Sequence, residues 1–207
     1  MQEHGAENGD YSMNKKMGKL LTIAGLLCLM ATLLLVVYNL HESRRAEQQS
    51  NEALQKIETY LEETPTSEKD SQQERELMVY EIDGVGYIGS LKIPALNREL
   101  PIIHEWNYEN LKKAICRYKG SPYTNDFIVA GHNYRKHFMG IARLVLGDEI
   151  IFTDMEGKEF CYEVAELEKM SKTEVERMEA GEWDLTLFTC DYGGRNRVVV
   201  RCITMDK

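Results

Sequence analysis

Cys190 closes an apolar run, LTLFTC, and Arg197 opens the next one, RVVVRCIT, with six residues between them. Side chains alternate along an extended strand, so Thr186, Phe188 and Cys190 share one face while Leu185, Leu187 and Thr189 share the other. A thiol at a strand's rim is open to reagents, whereas a thiol in mid-strand usually packs as a small hydrophobe. In the second run Val198, Val200 and Cys202 form the apolar face, which makes Cys202 structural. Arg197, Val199 and Arg201 form the opposite face, directed to solvent or to a site. The Gly193–Gly194 turn would fold the two runs into a hairpin and bring the thiol and the first guanidinium together. A guanidinium stays charged at any working pH and can hydrogen-bond a developing oxyanion or a substrate carbonyl. Taken alone, Arg197 also fits an edge arginine on a solvated face.

His132, in FIVAGHNYRKHF, is the third candidate. It follows an apolar strand and Gly131, at the start of a polar loop, so it too sits at a strand end. A free thiol titrates near 8.5 and is only partly ionised at neutral pH, and a neighbouring imidazole can carry the proton that thiol acyl transfer must move. His137, deeper in the same loop, and His104, after LPII, are the competing imidazoles. The five cysteines (28, 116, 161, 190 and 202) form no C-x-x-C pair, and their number is odd. Neither a zinc knuckle nor a closed disulfide framework is indicated. Asp148, Glu149, Asp154 and Glu156 are too loosely spaced to argue a calcium site, which stays open but unsupported.

These residues need a scaffold. From about Leu77 the chain reads as short β runs, VGYIGSLKI, LPII, FIVA, EIIFT, EFCYEVAEL, LTLFTC and VVVRCIT, bounded by Gly, Pro, Asn or Asp. Helical pieces are predicted around 108–115 and 172–179. Some seven short strands in this length point to a mainly β fold, a small antiparallel or mixed barrel, rather than to βαβ winding. A net charge of −9 excludes a nucleic-acid binder, which needs a basic face.

Upstream, residues 20–40 form an uncharged apolar run of about 30 Å as a helix, enough for a bilayer core. Its exit, YNLHESRRA, has no small-x-small cleavage site, so the run reads as an uncleaved anchor, with Cys28 a lipid-facing or packing residue. Lys15, Lys16 and Lys19 before it slightly outnumber Arg44 and Arg45 after it, leaning towards an internal N-terminus and an external C-terminal bulk. The expected organisation is a loose cytoplasmic tail (1–19), a transmembrane anchor (20–40), a helical stalk and solvated linker (41–76) and a β domain (77–207). Leu54, Ile57 and Leu61 recur at helical spacing, fitting a stalk or a helix packed on the domain.

Together these residues resemble a family. TLFTC with Arg197 following resembles the TLxTC…R signature of sortases, the Gram-positive cysteine transpeptidases. FIVAGHN resembles the family's histidine-bearing strand end, and YIGSLKIPALNRELPI the opening of its barrel. The resemblance covers residues 85–207. It implies a closed β-barrel of seven to eight strands with short helices behind one transmembrane helix. It further implies Cys190 as nucleophile, His132 as general acid/base, Arg197 as substrate and oxyanion partner, and Thr189 as an oxyanion helper. The implied substrates are surface proteins bearing an LPxTG-like sorting signal, the acceptor is an amine of peptidoglycan or a pilin, and no cofactor is needed. The short turn before Arg197 and the absence of a long helix or an Asp-Pro-Trp lid leave the class between B- and D-like. Arg201 aligns with a second basic residue of some members and by itself reads as a surface residue. The other readings of the same residues are an anchored cysteine protease and a non-catalytic peptide-binding β domain.

Overall fold

A computed structural model describes residues 7–63, 76–191 and 193–205. The solvated linker expected at 65–76 lies, but for Glu76, outside the described residues. The chain divides into two compact units, the boundary falling between residues 42 and 43.

The first unit belongs to α1 (Glu7–Glu63), one helix without interruption. It covers most of the residues expected as a loose tail, because no proline interrupts the chain before residue 65 and a formed helix propagates cheaply. Met17–His41 is long and apolar enough to cross a membrane, and the side chains along it are exposed.

The second unit is built on nine strands, β1 (Tyr80–Ile82), β2 (Val85–Ile93), β3 (Arg98–Ile103), β4 (Ile115–Lys119), β5 (Phe127–Ala130), β6 (Glu149–Asp154), β7 (Glu159–Ser171), β8 (Leu185–Cys190) and β9 (Asn196–Thr204). They are ordered β1-β2-β3-β4-β5-β8-β9-β7-β6, and β2 pairs back with β6. Eight strands, β2 to β9, thus close into a barrel, with β1 hairpinned on the start of β2. Closure requires β2 to serve two neighbours, and a bulge at Gly89 lets it. A Cβ at Gly89, whose φ is +141°, would lie 2.0 Å from the Thr153 carbonyl oxygen, so only glycine fits. This is the barrel, with short helices, that the resemblance implied.

Alternation along the strands yields two packed layers. Leu91, Ile102, Val129, Leu187, Val200 and Cys202 belong to one fully buried cluster. Tyr87, Ile103, Ile128, Phe188 and Val199 belong to a second, which is covered by helices. The covers are the last turns of α1, α2 (Tyr108–Lys113) and α3 (Val175–Glu179). Ser50, Ala53 and Ile57 of α1 are buried there, and Tyr60 stacks on Tyr80 at 4.3 Å. Residues 50–61 are therefore packed on the domain rather than held off it. Burying an isoleucine contributes about 1.5–3 kcal/mol.

Candidate active site

Three neighbouring strands, β5, β8 and β9, bring the candidate residues to one end of the sheet. β8 and β9 are antiparallel and Cys190 is the direct cross-strand partner of Arg197. β5 and β8 are parallel, with Ala130 opposite Phe188, and the Gly131 N–H donates to the Phe188 carbonyl at 3.1 Å. His132 and Cys190 each follow two residues after that last pair, so both emerge at the same edge. Cys190 is exposed, and His132 and Arg197 are half-buried.

Local chemistry fixes each element. The turn between β8 and β9 is organised by Asp191, whose carboxylate accepts from Asn196 Nδ2 at 3.0 Å and from the Arg195 and Asn196 backbone N–H groups at 3.2 and 3.4 Å. It also pairs with Lys169 at 3.1 Å. The Asn196 side chain and then the Lys169 ammonium hold its carboxyl well below the usual carboxylate range. Gly131 is required by close approach, since a Cβ there would meet the Phe138 ring at 2.5 Å. The loop after it is tied by the Phe138 N–H to the His132 carbonyl at 3.0 Å, and Arg98 donates to the His137 and Met139 carbonyls at 2.8 and 2.6 Å. The His132 ring stacks on Tyr134 at 4.6 Å and lies 6.2 Å from the ring of His137.

His137 itself is fully buried and does not face solvent. Burial first, then the nearby His132 and Arg98, push its pKa down to about 4, and the adjacent Lys113 backbone offsets this only in part. Neither of its ring nitrogens makes a well-formed hydrogen bond. His104 lies elsewhere, against Arg117, and burial lowers its pKa as well. Thr189 is 3% exposed and alternates away from Cys190, and its Oγ1 has no partner among the described residues. Cys116, Cys161 and Cys202 are buried, with burial raising the Cys116 thiol to about 12 and the Cys202 thiol further. Among the described residues no cluster of His, Cys, Asp or Glu could hold a metal ion.

Residues 91–204 match the sortase domain family. The chain belongs to the sortases. It is similar to Sortase A of Bacillus anthracis, 27% identical over 162 residues (74% of this chain, 77% of that protein). It is also similar to Sortase D of Bacillus subtilis, 30% identical over 107 residues (49% and 53%). Among solved structures, the Clostridium perfringens Sortase D5 transpeptidase aligns with a TM-score of 0.59 at 21% identity, covering 77% of this chain and 99% of that one. Sortase C of Streptococcus pneumoniae aligns at 0.56 and 17%, covering 82% and 95%. This chain is thus a transpeptidase of the sortase kind.

In this sortase the outer face of β9 differs from the sequence expectation at two positions, Val199, which packs into the second cluster, and Arg201. Arg201 is 2% exposed, not a surface residue, because α3 folds over it. Its guanidinium donates to Glu168 Oε1, to Thr186 Oγ1 and to the Arg177 and Met178 carbonyls. Sequence reasoning also missed what surrounds Arg197. Its Cζ sits 5.0 Å from the Phe188 ring centre and its Nη1 is 3.8 Å from Met178 Sδ. Alternation alone could have nominated Phe188, which shares the Cys190 face, but no local pattern marks Met178.

Proposed function

We propose that this sortase is anchored in the plasma membrane by residues 20–40, with its barrel outside the cytoplasm, and that it joins surface proteins to an amine. Cys190 Sγ attacks the carbonyl carbon at the cleavage point of an LPxTG-like sorting signal, and Arg197 hydrogen-bonds the oxyanion that forms. His132 takes the thiol proton as the C–S bond forms and delivers it to the departing amine as the C–N bond breaks, leaving a thioester on Cys190. An incoming amine, of peptidoglycan or a pilin, then attacks the thioester. His132 takes its proton, and the thiol leaves. No metal or organic cofactor takes part in these steps. Thr189 is the oxyanion helper of this reading, and its contribution is small because its buried side chain alternates away from the thiol.

The observation that carries this reading is the direct pairing of Cys190 with Arg197, beside a parallel strand that ends at Ala130, two residues before His132. The test is mass spectrometry of the protein with sorting peptides, with and without an added amine. A Cys190 acyl-enzyme and an amine-ligated product are expected. Hydrolysed peptide alone at high amine concentration would make it a cysteine protease instead.

A further inference from the structure

We infer that Arg201 is a positioning residue for Arg197, acting through Met178. The inference rests on the reading that Arg197 serves the Cys190 thiol.

A buried arginine is an expensive way to fill space, since desolvating its charge costs several kcal/mol unless it is paired and fully hydrogen-bonded. Arg201 meets both conditions. Glu168 Oε1 lies 3.1 Å from its Nε, and the planar fork reaches the Met178 carbonyl (2.6 Å) and the Arg177 carbonyl (2.8 Å) with separate nitrogens. Those carbonyls lie near the C-terminal end of α3. Five residues cannot hold a helix by themselves. α3 is held from outside, by Arg201 on one side and on the other by Glu179, which accepts from Tyr118 Oη (3.1 Å) and Lys119 Nζ (2.8 Å). Between the two ties, Met178 is wholly buried.

The beneficiary is Arg197. Among the described residues no carboxylate lies within ion-pair distance of it, and its buried Nε has no hydrogen-bond partner. What seats the guanidinium is its contact with the Phe188 ring and with the Met178 thioether. A ring face and a sulfur orient a cation weakly without neutralising it. The charge thus stays available to a ligand, but its position depends on where α3 places Met178. Arg201 sets that position.

The experiment needs no turnover. In the full-length protein in detergent, the rates of Cys190 alkylation by iodoacetate and by iodoacetamide are read by mass spectrometry of the Cys190 peptide. The ratio of the two cancels the thiolate fraction and reports the positive charge beside the sulfur. Arg197→Gln should lower the ratio roughly five- to tenfold, as expected for one charge about 4 Å away screened nearly as in water at this exposed thiol. Arg201→Lys keeps the charge but loses the fork, and Met178→Ala keeps every charge but removes the seat. Both should bring the ratio most of the way to the Arg197→Gln value, and Met178→Leu should restore it. If Arg201→Lys does not fold, Glu168→Gln, which loosens the Arg201 fork through its carboxylate partner, takes its place beside Met178→Ala and Met178→Leu. Folded Arg201→Lys or Met178→Ala protein with the wild-type ratio, where Arg197→Gln lowers it, would overturn the inference. A ratio unmoved by Arg197→Gln would instead contradict the pairing of Arg197 with the thiol, and so the proposed function and this inference together.

Discussion

Cys190 and Arg197 are direct cross-strand partners, the last residue of β8 facing the second of β9. An exposed sulfur and a fixed positive charge are therefore held together by backbone pairing, and side-chain chance plays no part in their adjacency. If the guanidinium stabilises an oxyanion there, Arg197→Ala should lower transpeptidation about 10²- to 10³-fold with little change in melting temperature. Thr189→Val should cost less than about tenfold, under about 1.4 kcal/mol of barrier. Steady-state kinetics with circular dichroism checks both.

The turn that sets this pairing depends on Asp191. Asp191→Ala removes the acceptor for Asn196, for two backbone N–H groups and for Lys169. Activity should fall severalfold, and Asp191→Asn should recover part of it. The sign of the pH dependence follows from the direction of the shift. A depressed carboxyl favours the fold above its unfolded value near 3.9 and loses that contribution only as pH falls through its still lower folded value. The turn should therefore be insensitive to pH between 5 and 8, as amide exchange of Gly194 would report.

His137 behaves in the opposite sense to a histidine that gains a partner. Its folded pKa of about 4 lies below the unfolded value of about 6.5, so the unfolded chain binds the extra proton first. Stability should be level above pH 6.5 and fall as pH drops from there towards 4, by up to about 3 kcal/mol. His137→Phe should flatten that part of the profile in denaturant titrations at several pH values.

Ile57, wholly buried, makes the end of α1 part of the catalytic unit. Ile57→Ala should cost about 2–4 kcal/mol in thermal or denaturant unfolding. A fragment starting at residue 77 should be less stable than one starting at residue 43, having uncovered Ile82, Tyr87 and Leu111.

The sequence carried strands whose patterning is local. β2 and β8 coincide with VGYIGSLKI and LTLFTC in full. It did not carry β4, because ICRYK is short and follows the helical pattern of α2 with no turn residue between them. Its pairing is also weakly specified, two residue pairs parallel to β3 and an irregular register with β5. The nearness of Cys190 and Arg197 was legible, since one short turn links two alternating runs. The surroundings of Arg197 were not. Alternation puts Arg201 on the right face but cannot say that α3, returning from β7, will cover it. The interdependence of Met178, Arg201 and Glu168 exists only once the chain has folded.

The most direct test of the account is the mass of the protein after incubation with LPxTG-like and NPxTN-like peptides and an amine. An acyl adduct mapped to Cys190 and its discharge to an amine-ligated peptide are expected, with neither species in Cys190→Ala. A normal ligated product from folded Cys190→Ala protein would contradict it.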